Sequence, residues 1–142
     1  MPAANDTAIA LDVGSKRVGL ALANLTARIS SPYSTLERAD SFLGELKKVI
    51  ETENVQHIVI GLPRGLDGQS TAQTTAIAEF AKQIKQAFQL PIYFQDEALT
   101  SVKAEEELTR RGRDYKKSDI DALAATYILE DWLAENKEVH EL

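Results

Sequence analysis

The chain has 142 residues, about the size of one domain, and its 44% hydrophobic and 27% charged residues are ordinary for a folded protein. It contains no cysteine, which excludes disulfides and thiolate metal sites and suits a reducing cytoplasm. The polar start of the chain predicts no signal peptide, and no apolar run is long enough to cross a membrane. We expect one domain over residues 1–142, with flexible tails at 1–6 and 137–142, in the cytoplasm.

The net charge of −6 argues by itself against a nucleic-acid partner, because phosphate binding needs a basic surface. A net charge averages over the whole surface, however, and a local basic patch can coexist with an acidic body. The distribution of the 16 Lys and Arg residues along the chain therefore carries more information than their sum.

Three strands open the predicted fold, at residues 8–13, 18–23 and 28–36. The connections between them are too short for helical crossovers, so we expect an antiparallel meander. Ser31-Pro32 indicates that the third strand lies at an edge or contains a bulge, because proline cannot donate to a central ladder.

A helix follows at residues 41–52, with Asp40 as its expected N-cap. Residues 57–62 are apolar and rich in β-branched side chains, which is typical of a strand covered on both faces. Ser70 and Gln73 have capping-box spacing and open a long second helix. The predicted apolar face of that helix consists of Ile77, Phe80, Ala81, Ile84 and Phe88.

The last third of the chain contains a short strand at residues 92–94, a helix at 101–111, a polar loop at 112–117 and a helix at 119–135. The element order is therefore βββαβαβαα. A helix precedes each of the two later strands, which favours parallel pairing through right-handed crossovers. We expect an α/β fold with a five-stranded mixed sheet, three strands antiparallel and then two parallel, and helices on both faces.

Acidic residues stand at the ends of two predicted strands. Asp12 interrupts an otherwise apolar strand near its C-terminal end, the end where sites form in α/β sheets. A strand-end Asp also commonly caps a turn, so both explanations stay open for Asp12 alone. Asp96 and Glu97 follow the last predicted strand, where a solvated loop or a helix cap is the simpler explanation.

Asp121 lies in the first turn of the last predicted helix. Ser118 and Asp121 have capping-box spacing, and acids near a helix N-terminus are stabilised by the dipole, so a purely structural explanation is available. Yet Asp121 also shares a helical face with residues that should pack on the sheet. These residues are Ala124, Ala125, Ile128 and Trp132. Asp119 is the weaker candidate, because it points away from that face.

The acids are more informative together than singly. The predicted topology brings Asp12, the Asp96-Glu97 pair and Asp121 to one end of the sheet. Converging carboxylates repel one another without a counter-ion, and such oxygen ligands suit Mg²⁺ or Mn²⁺. Two of these ions can activate a water and stabilise the leaving oxygen in phosphodiester cleavage.

Four segments, in this order, resemble the YqgF/RuvX family. They are LDVGSKRVGLALA at residues 11–23, IVIGLPRGLDG at 58–68, FQDEALTS at 94–101 and SDIDALAATYILEDWL at 118–133. The resemblance covers about residues 7–135 and implies an RNase H-like fold with divalent-metal nuclease activity. The family is assigned to maturation of the 5′ end of pre-16S ribosomal RNA in the cytoplasm, and Holliday junction resolvase activity has also been proposed for it.

The resemblance also assigns individual positions. The family's acidic positions fall on Asp12, Glu97 and Asp121, which are the expected catalytic and metal-holding residues, and its basic positions fall on Lys16 and Arg17. The chain departs from the family at three places that could touch substrate. These are Ala98 in place of Arg, Gly65 at or near an Asn, and Asp119 beside Ile120 in place of Lys or Gly-Lys.

A cationic cluster leads into Asp121. Its members are Arg110, Arg111, Arg113, Lys116 and Lys117. The cluster is either a solvated helix end, where the dipole favours cations, or a contact for phosphates that arrive at the metals. We favour nucleic-acid contact, with Lys16 and Arg17 as a second contact. His57, by contrast, has no partner at ligand spacing and is expected to be structural.

The leading hypothesis is a nuclease acting on a ribosomal RNA precursor, as a monomer or weak homodimer that does not associate with a membrane. A Holliday junction resolvase is the first alternative and needs a stable dimer with two active sites. A non-catalytic nucleic-acid or protein adaptor is the second. Actin-like kinases share the Asp-x-Gly start of their phosphate loop, but they need two comparable domains and this chain has one.

Overall fold

The computed structural model describes residues 6–63, 72–97, 100–112 and 116–135. Within these ranges the elements follow the predicted order, and no helix is long and apolar enough to cross a membrane. The elements are β1 (Thr7–Val13), β2 (Arg17–Asn24), β3 (Ile29–Glu37), α1 (Phe42–Thr52), β4 (Val55–Pro63), α2 (Ala72–Phe88), β5 (Ile92–Glu97), α3 (Thr100–Arg110) and α4 (Lys117–Glu135).

Several sequence-based predictions lie outside the described residues. They concern the tails at 1–5 and 137–142, the capping box that begins at Ser70, the family departures at Gly65 and Ala98, and Arg113 of the cationic cluster.

The sheet has the strand order β3-β2-β1-β4-β5. The β1–β2 and β2–β3 pairs are antiparallel, whereas β1–β4 and β4–β5 are parallel, which confirms the predicted mixed sheet. β3 lies at an edge, and its pairing shifts register where Ser34 and Pro32 face Leu20 and Ala21, so the proline marks both an edge and a bulge. β4 separates β1 from β5, and the ends of the first and last strands therefore lie two strands apart.

Strand alternation divides the core into two unlike layers. On one face, large side chains of the central strands pack against α1 and α2; Leu11, Leu20 and Ile60 are examples, each with no exposed surface. Burying a side chain of this size contributes about 1.5–3 kcal/mol. The other face of β1 and β2 carries small residues, with Ala10 and Ala21 packed under α4. The small residues let α4 lie close to the sheet.

α4 is covered on two sides. Ala125, Ile128 and Trp132 pack on the sheet, as predicted, together with Leu129. Ala124 was expected on the same face but packs instead against α3, in a cluster with Ala104, Leu108 and Leu123. α3 therefore forms an outer layer over α4, which explains why so many residues along α4 are buried.

The predicted start of α1 and the predicted end of β5 are wrong. The N-cap of α1 is Ser41 and not Asp40, because the carbonyl of Ser41 accepts the first helical hydrogen bond, from the N–H of Glu45 at 2.9 Å. β5 continues past Phe94 to Glu97, because parallel pairing with β4 extends to the end of both strands. Asp96 and Glu97 are therefore the last residues of a strand and not part of a loop after it.

His57 is buried at the end of the sheet remote from Asp12, as expected of a structural residue. Its Nε2 lies 2.7 Å from Oδ2 of Asp6, and its Nδ1 lies 3.5 Å from the Tyr93 hydroxyl. The ring of Tyr93 also packs against Trp132 of α4, with centroids 5.1 Å apart. These contacts connect the start of β1 to β4, β5 and α4.

The closest approach between α4 and the sheet is at Gly19. A Cβ built on this residue would lie 2.0 Å from the carbonyl oxygen of Asp121 and 2.9 Å from the backbone nitrogen of Ala122. Both atoms belong to the helix backbone, which cannot rotate away as a side chain can. Only glycine at this position is compatible with the observed position of α4 on the sheet.

Gly19→Ala should therefore lower the free energy of unfolding by about 3 kcal/mol, the upper end of the usual cost of overpacking. Gly44→Ala on α1 is the matched control, because an added Cβ there meets no atom within 4 Å and alanine favours the helix by about 0.5–1 kcal/mol. Urea denaturation of both variants measures the difference. Equal free energies of unfolding for the two variants would contradict the close contact between α4 and Gly19.

Candidate active site

Asp12 lies one residue before the end of β1 and is partly buried. It is two residues beyond Ala10, so strand alternation places it on the sheet face that α4 covers. Its register partner on β2 is Gly19. Directly opposed residues of an antiparallel pair share a face, and Asp12 therefore stands beside the glycine on which α4 rests.

Asp121 comes to the same place from the last helix. Its backbone lies against Gly19, and its side chain is 21% exposed. Asp12 and Asp121, which are far apart in the chain, therefore both adjoin one small residue of β2. This arrangement gives two of the acidic residues singled out from the sequence a common neighbour.

Arg17 pairs with this acidic group. Its Nε donates a hydrogen bond of 2.8 Å to Oδ2 of Asp121, and its side chain is 30% exposed. Arg17 begins β2, two residues before Gly19, so strand alternation places it on the same face. The sequence predicted Arg17 as a contact for nucleic acid and did not reveal this ion pair, because nothing local connects residues on such distant segments.

The start of α4 is capped by Asp119 and not by Asp121. Oδ2 of Asp119 accepts a 2.9 Å hydrogen bond from the backbone N–H of Lys116, which precedes the helix. The predicted Ser118–Asp121 capping box is therefore wrong, since the helix begins two residues earlier than expected. Thr35 of β3 anchors the same turn by donating to the carbonyl of Ser118 at 2.8 Å. The carboxylate of Asp121 points to Arg17 instead.

Glu97, the third expected acid, ends β5, and its backbone is paired with that of Pro63. Its side chain lies outside the described part of the structure. Among the described residues, no group of three or more acidic or histidine side chains is arranged to hold a metal ion. The structure therefore brings Asp12 and Asp121 together and gives the backbone position of Glu97.

Gln95, two residues before Glu97, is a buried polar residue that the sequence analysis missed. Its amide donates to the carbonyl of Asp96 at 3.4 Å. The strand was predicted to end at Phe94, so the alternation that buries Gln95 and exposes Phe94 and Asp96 was not recognised. The sequence contained no such signal, because the buried residue is polar and the exposed Phe94 is apolar, the reverse of the usual strand pattern.

The cationic cluster borders the start of α4. Arg110 and Arg111 both pair with Glu107 of α3, at 3.0 and 3.1 Å, and remain largely exposed, as do Lys116 and Lys117. Burial raises the pKa of Tyr127 beneath them; Glu107 and Glu130 act in the same direction, and the two arginines oppose it. The described members of the cluster are thus accessible cations, and two of them are held by one acid.

A polar groove of about 570 Å³ runs between β3 and the α3–α4 corner. Ser34, Thr35 and Ser118 supply hydroxyl groups to its walls, and Arg111 lies at its side. Ser118, on one wall of the groove, lies one helical turn before Asp121.

The donor set fits a hard divalent cation. Asp12 and Asp121 supply carboxylate oxygens, which Mg²⁺ and Mn²⁺ prefer, and these side chains are accessible enough for a hydrated ion to reach. Converging carboxylates need positive charge nearby, and in this structure Arg17 provides it.

Known proteins similar to this chain identify its family. The family model described as "RuvX: Holliday junction resolvase" matches residues 6–135. A relative from Maridesulfovibrio salexigens, named "Putative pre-16S rRNA nuclease", is 43% identical over 130 residues, which cover 89% of this chain and 96% of the relative. A relative of the same name from Crocosphaera subtropica is 40% identical over 136 residues, covering 92% of this chain and 94% of the relative.

Among solved structures, RuvC of T. thermophilus in complex with a Holliday junction substrate superposes with a TM-score of 0.56 at 13% identity. The match covers 92% of this chain and 96% of that chain, and at this identity it concerns the fold alone. The strand order and the parallel and antiparallel pairs agree with an RNase H-like sheet. The chain belongs to the RuvX family and has an RNase H-like fold.

Proposed function

We propose that this chain is a divalent-metal-dependent nuclease that hydrolyses phosphodiester bonds in the maturation of the 5′ end of pre-16S ribosomal RNA. The observation that carries the proposal is the meeting of Asp12 and Asp121 at Gly19, on the sheet face that α4 covers. The names of the curated relatives support the ribosomal RNA substrate, and the cytoplasm is the compartment where such a precursor is processed.

In the proposed mechanism, Asp12, Asp121 and Glu97 hold one or two Mg²⁺ or Mn²⁺ ions. When bound, these ions supply an activated water and stabilise the leaving oxygen. The protein's part is to position the ligands. Asp12 is held by its strand, Asp121 by the contact of α4 with Gly19, and Glu97 by the pairing of β5 with β4.

The cations then orient the RNA backbone. Lys16 lies in the turn after β1, Arg111 lines the polar groove, and Lys116 and Lys117 lie where α4 begins, about one helical turn before Asp121. We propose that a phosphate backbone follows the groove to the metals. In a protein of net charge −6, such local cations determine the orientation of binding and make it depend on salt.

Asp12→Asn and Asp121→Asn should each reduce cleavage of a pre-16S RNA fragment by more than about a hundredfold, because even outer-shell partners of a metal cost 10–100-fold when mutated. Asp40→Asn makes the same chemical change at an exposed residue in the turn before α1 and should leave cleavage unchanged. Rates are measured with Mg²⁺ and with Mn²⁺, and folding is checked by circular dichroism. Full activity of a folded Asp12→Asn variant would refute the metal-holding assignment.

Lys116→Ala/Lys117→Ala should weaken RNA binding and reduce the steepness of its salt dependence, by about 0.7 in log–log slope for each phosphate that the variant no longer neutralises. The control is Lys47→Ala/Lys48→Ala, an exposed pair on α1, which packs on the opposite face of the sheet. Fluorescence anisotropy over a range of NaCl concentrations measures both variants. Equal slopes for the two pairs would show that the cationic cluster does not contact the strand.

A Holliday junction resolvase is the second candidate, favoured by the description of the family model. A resolvase must present two active sites to one junction and therefore needs a stable dimer. We expect the chain to cleave the pre-16S RNA fragment faster than a four-way DNA junction, and to sediment as a monomer or weak dimer. Faster junction cleavage by a stable dimer would favour the resolvase, and absence of Mn²⁺ binding would favour a non-catalytic adaptor.

A further inference from the structure

The contact between Arg17 and Asp121 occupies an oxygen that a metal would need. Nε of Arg17 lies 2.8 Å from Oδ2 of Asp121, a full charge-assisted hydrogen bond. A guanidinium stays charged at any pH a protein tolerates, so Arg17 cannot leave this oxygen by losing a proton. A divalent cation that binds through Oδ2 of Asp121 therefore competes with the guanidinium for this oxygen and is repelled by its charge.

The two partners differ in their freedom to move. The backbone of Asp121 is held against Gly19, where the space between helix and strand is smaller than one methyl group. Arg17, in contrast, is the first residue of β2, directly after the exposed turn of Gly14, Ser15 and Lys16, and its long side chain is 30% exposed. An exchange of cations at Asp121 therefore moves the arginine side chain and leaves the carboxylate in place.

We propose that Arg17 is an internal cation that holds Asp121 in the metal-free protein and competes with the divalent metal for the same carboxylate oxygen. Metal binding then releases the guanidinium, which becomes available to a substrate phosphate beside the metal. This inference rests on the proposed function, since it requires that the acidic site bind a divalent ion. It makes Arg17 a positioning residue whose contact changes with metal occupancy.

The inference predicts the direction of a binding change. Removing Arg17 removes a competitor and leaves the carboxylate of Asp121 without this counter-charge, so Mn²⁺ should bind about tenfold more tightly, within the usual range of coupling between two ligands. A structural role, in which Arg17 only holds Asp121 in the ligand geometry, predicts the opposite sign. The sign of the change therefore separates the two explanations.

The experiment is a calorimetric titration of MnCl₂ into the wild type, Arg17→Met and Lys16→Met. Lys16→Met removes the same charge from the neighbouring exposed residue and controls for the general field of the site. We expect Arg17→Met to bind Mn²⁺ about tenfold more tightly than Lys16→Met. Arg17→Lys keeps the charge but loses the Nε donor, so its affinity for Mn²⁺ should lie between those of the wild type and Arg17→Met. This variant tests the inference even if Arg17→Met unfolds.

Equal or weaker Mn²⁺ binding by folded Arg17→Met, relative to Lys16→Met, would overturn the inference and leave the proposed nuclease function standing. Absence of Mn²⁺ binding to every protein, wild type included, would overturn the proposed metal-dependent function and the inference with it. Retained tight binding by Arg17→Met that disappears in Arg17→Met/Asp121→Asn would support competition at the Asp121 oxygen.

Discussion

The site depends on the contact between the backbone of α4 and Gly19. Because glycine presents no side chain, the helix can lie directly on β2, and the carbonyl of Asp121 occupies the space that any Cβ would fill. The same glycine is the register partner of Asp12. A single close approach therefore fixes the helix on the sheet and places two remote acidic residues beside the same glycine.

The rest of the fold supports that contact from both sides. Ala10 and Ala21 have small side chains, so the neighbouring sheet surface lets α4 approach closely. The apolar residues of α4 from Ala125 to Trp132 are buried against this surface. α3 covers the outer side of α4, while the large residues of the opposite face pack under α1 and α2. The helix that carries Asp121 is thus packed between the sheet and α3, and this packing holds Asp121 in a fixed position.

Charge is distributed unevenly over this frame. The body of the protein is acidic, yet the acids at Gly19 have an arginine beside them, and the cationic cluster lies at the start of the same helix. These cations concentrate positive charge locally in a protein whose net charge is −6. The resemblance to nucleases and this local arrangement agree, although they rest on different observations.

Periodicity and composition in the sequence by themselves determined the order of the elements, the apolar face of α2, the mixed sheet and the candidate acids Asp12 and Asp121, because these follow from local spacing. Predictions from local sequence failed where tertiary contacts override them. β5 extends through Gln95 to Glu97 because β4 pairs with it. At the start of α4, Asp119 and not Asp121 makes the capping hydrogen bond. Only the tertiary structure decided that α4 rests on Gly19 and that Arg17 binds Asp121, since both depend on packing between segments that share no local sequence signal.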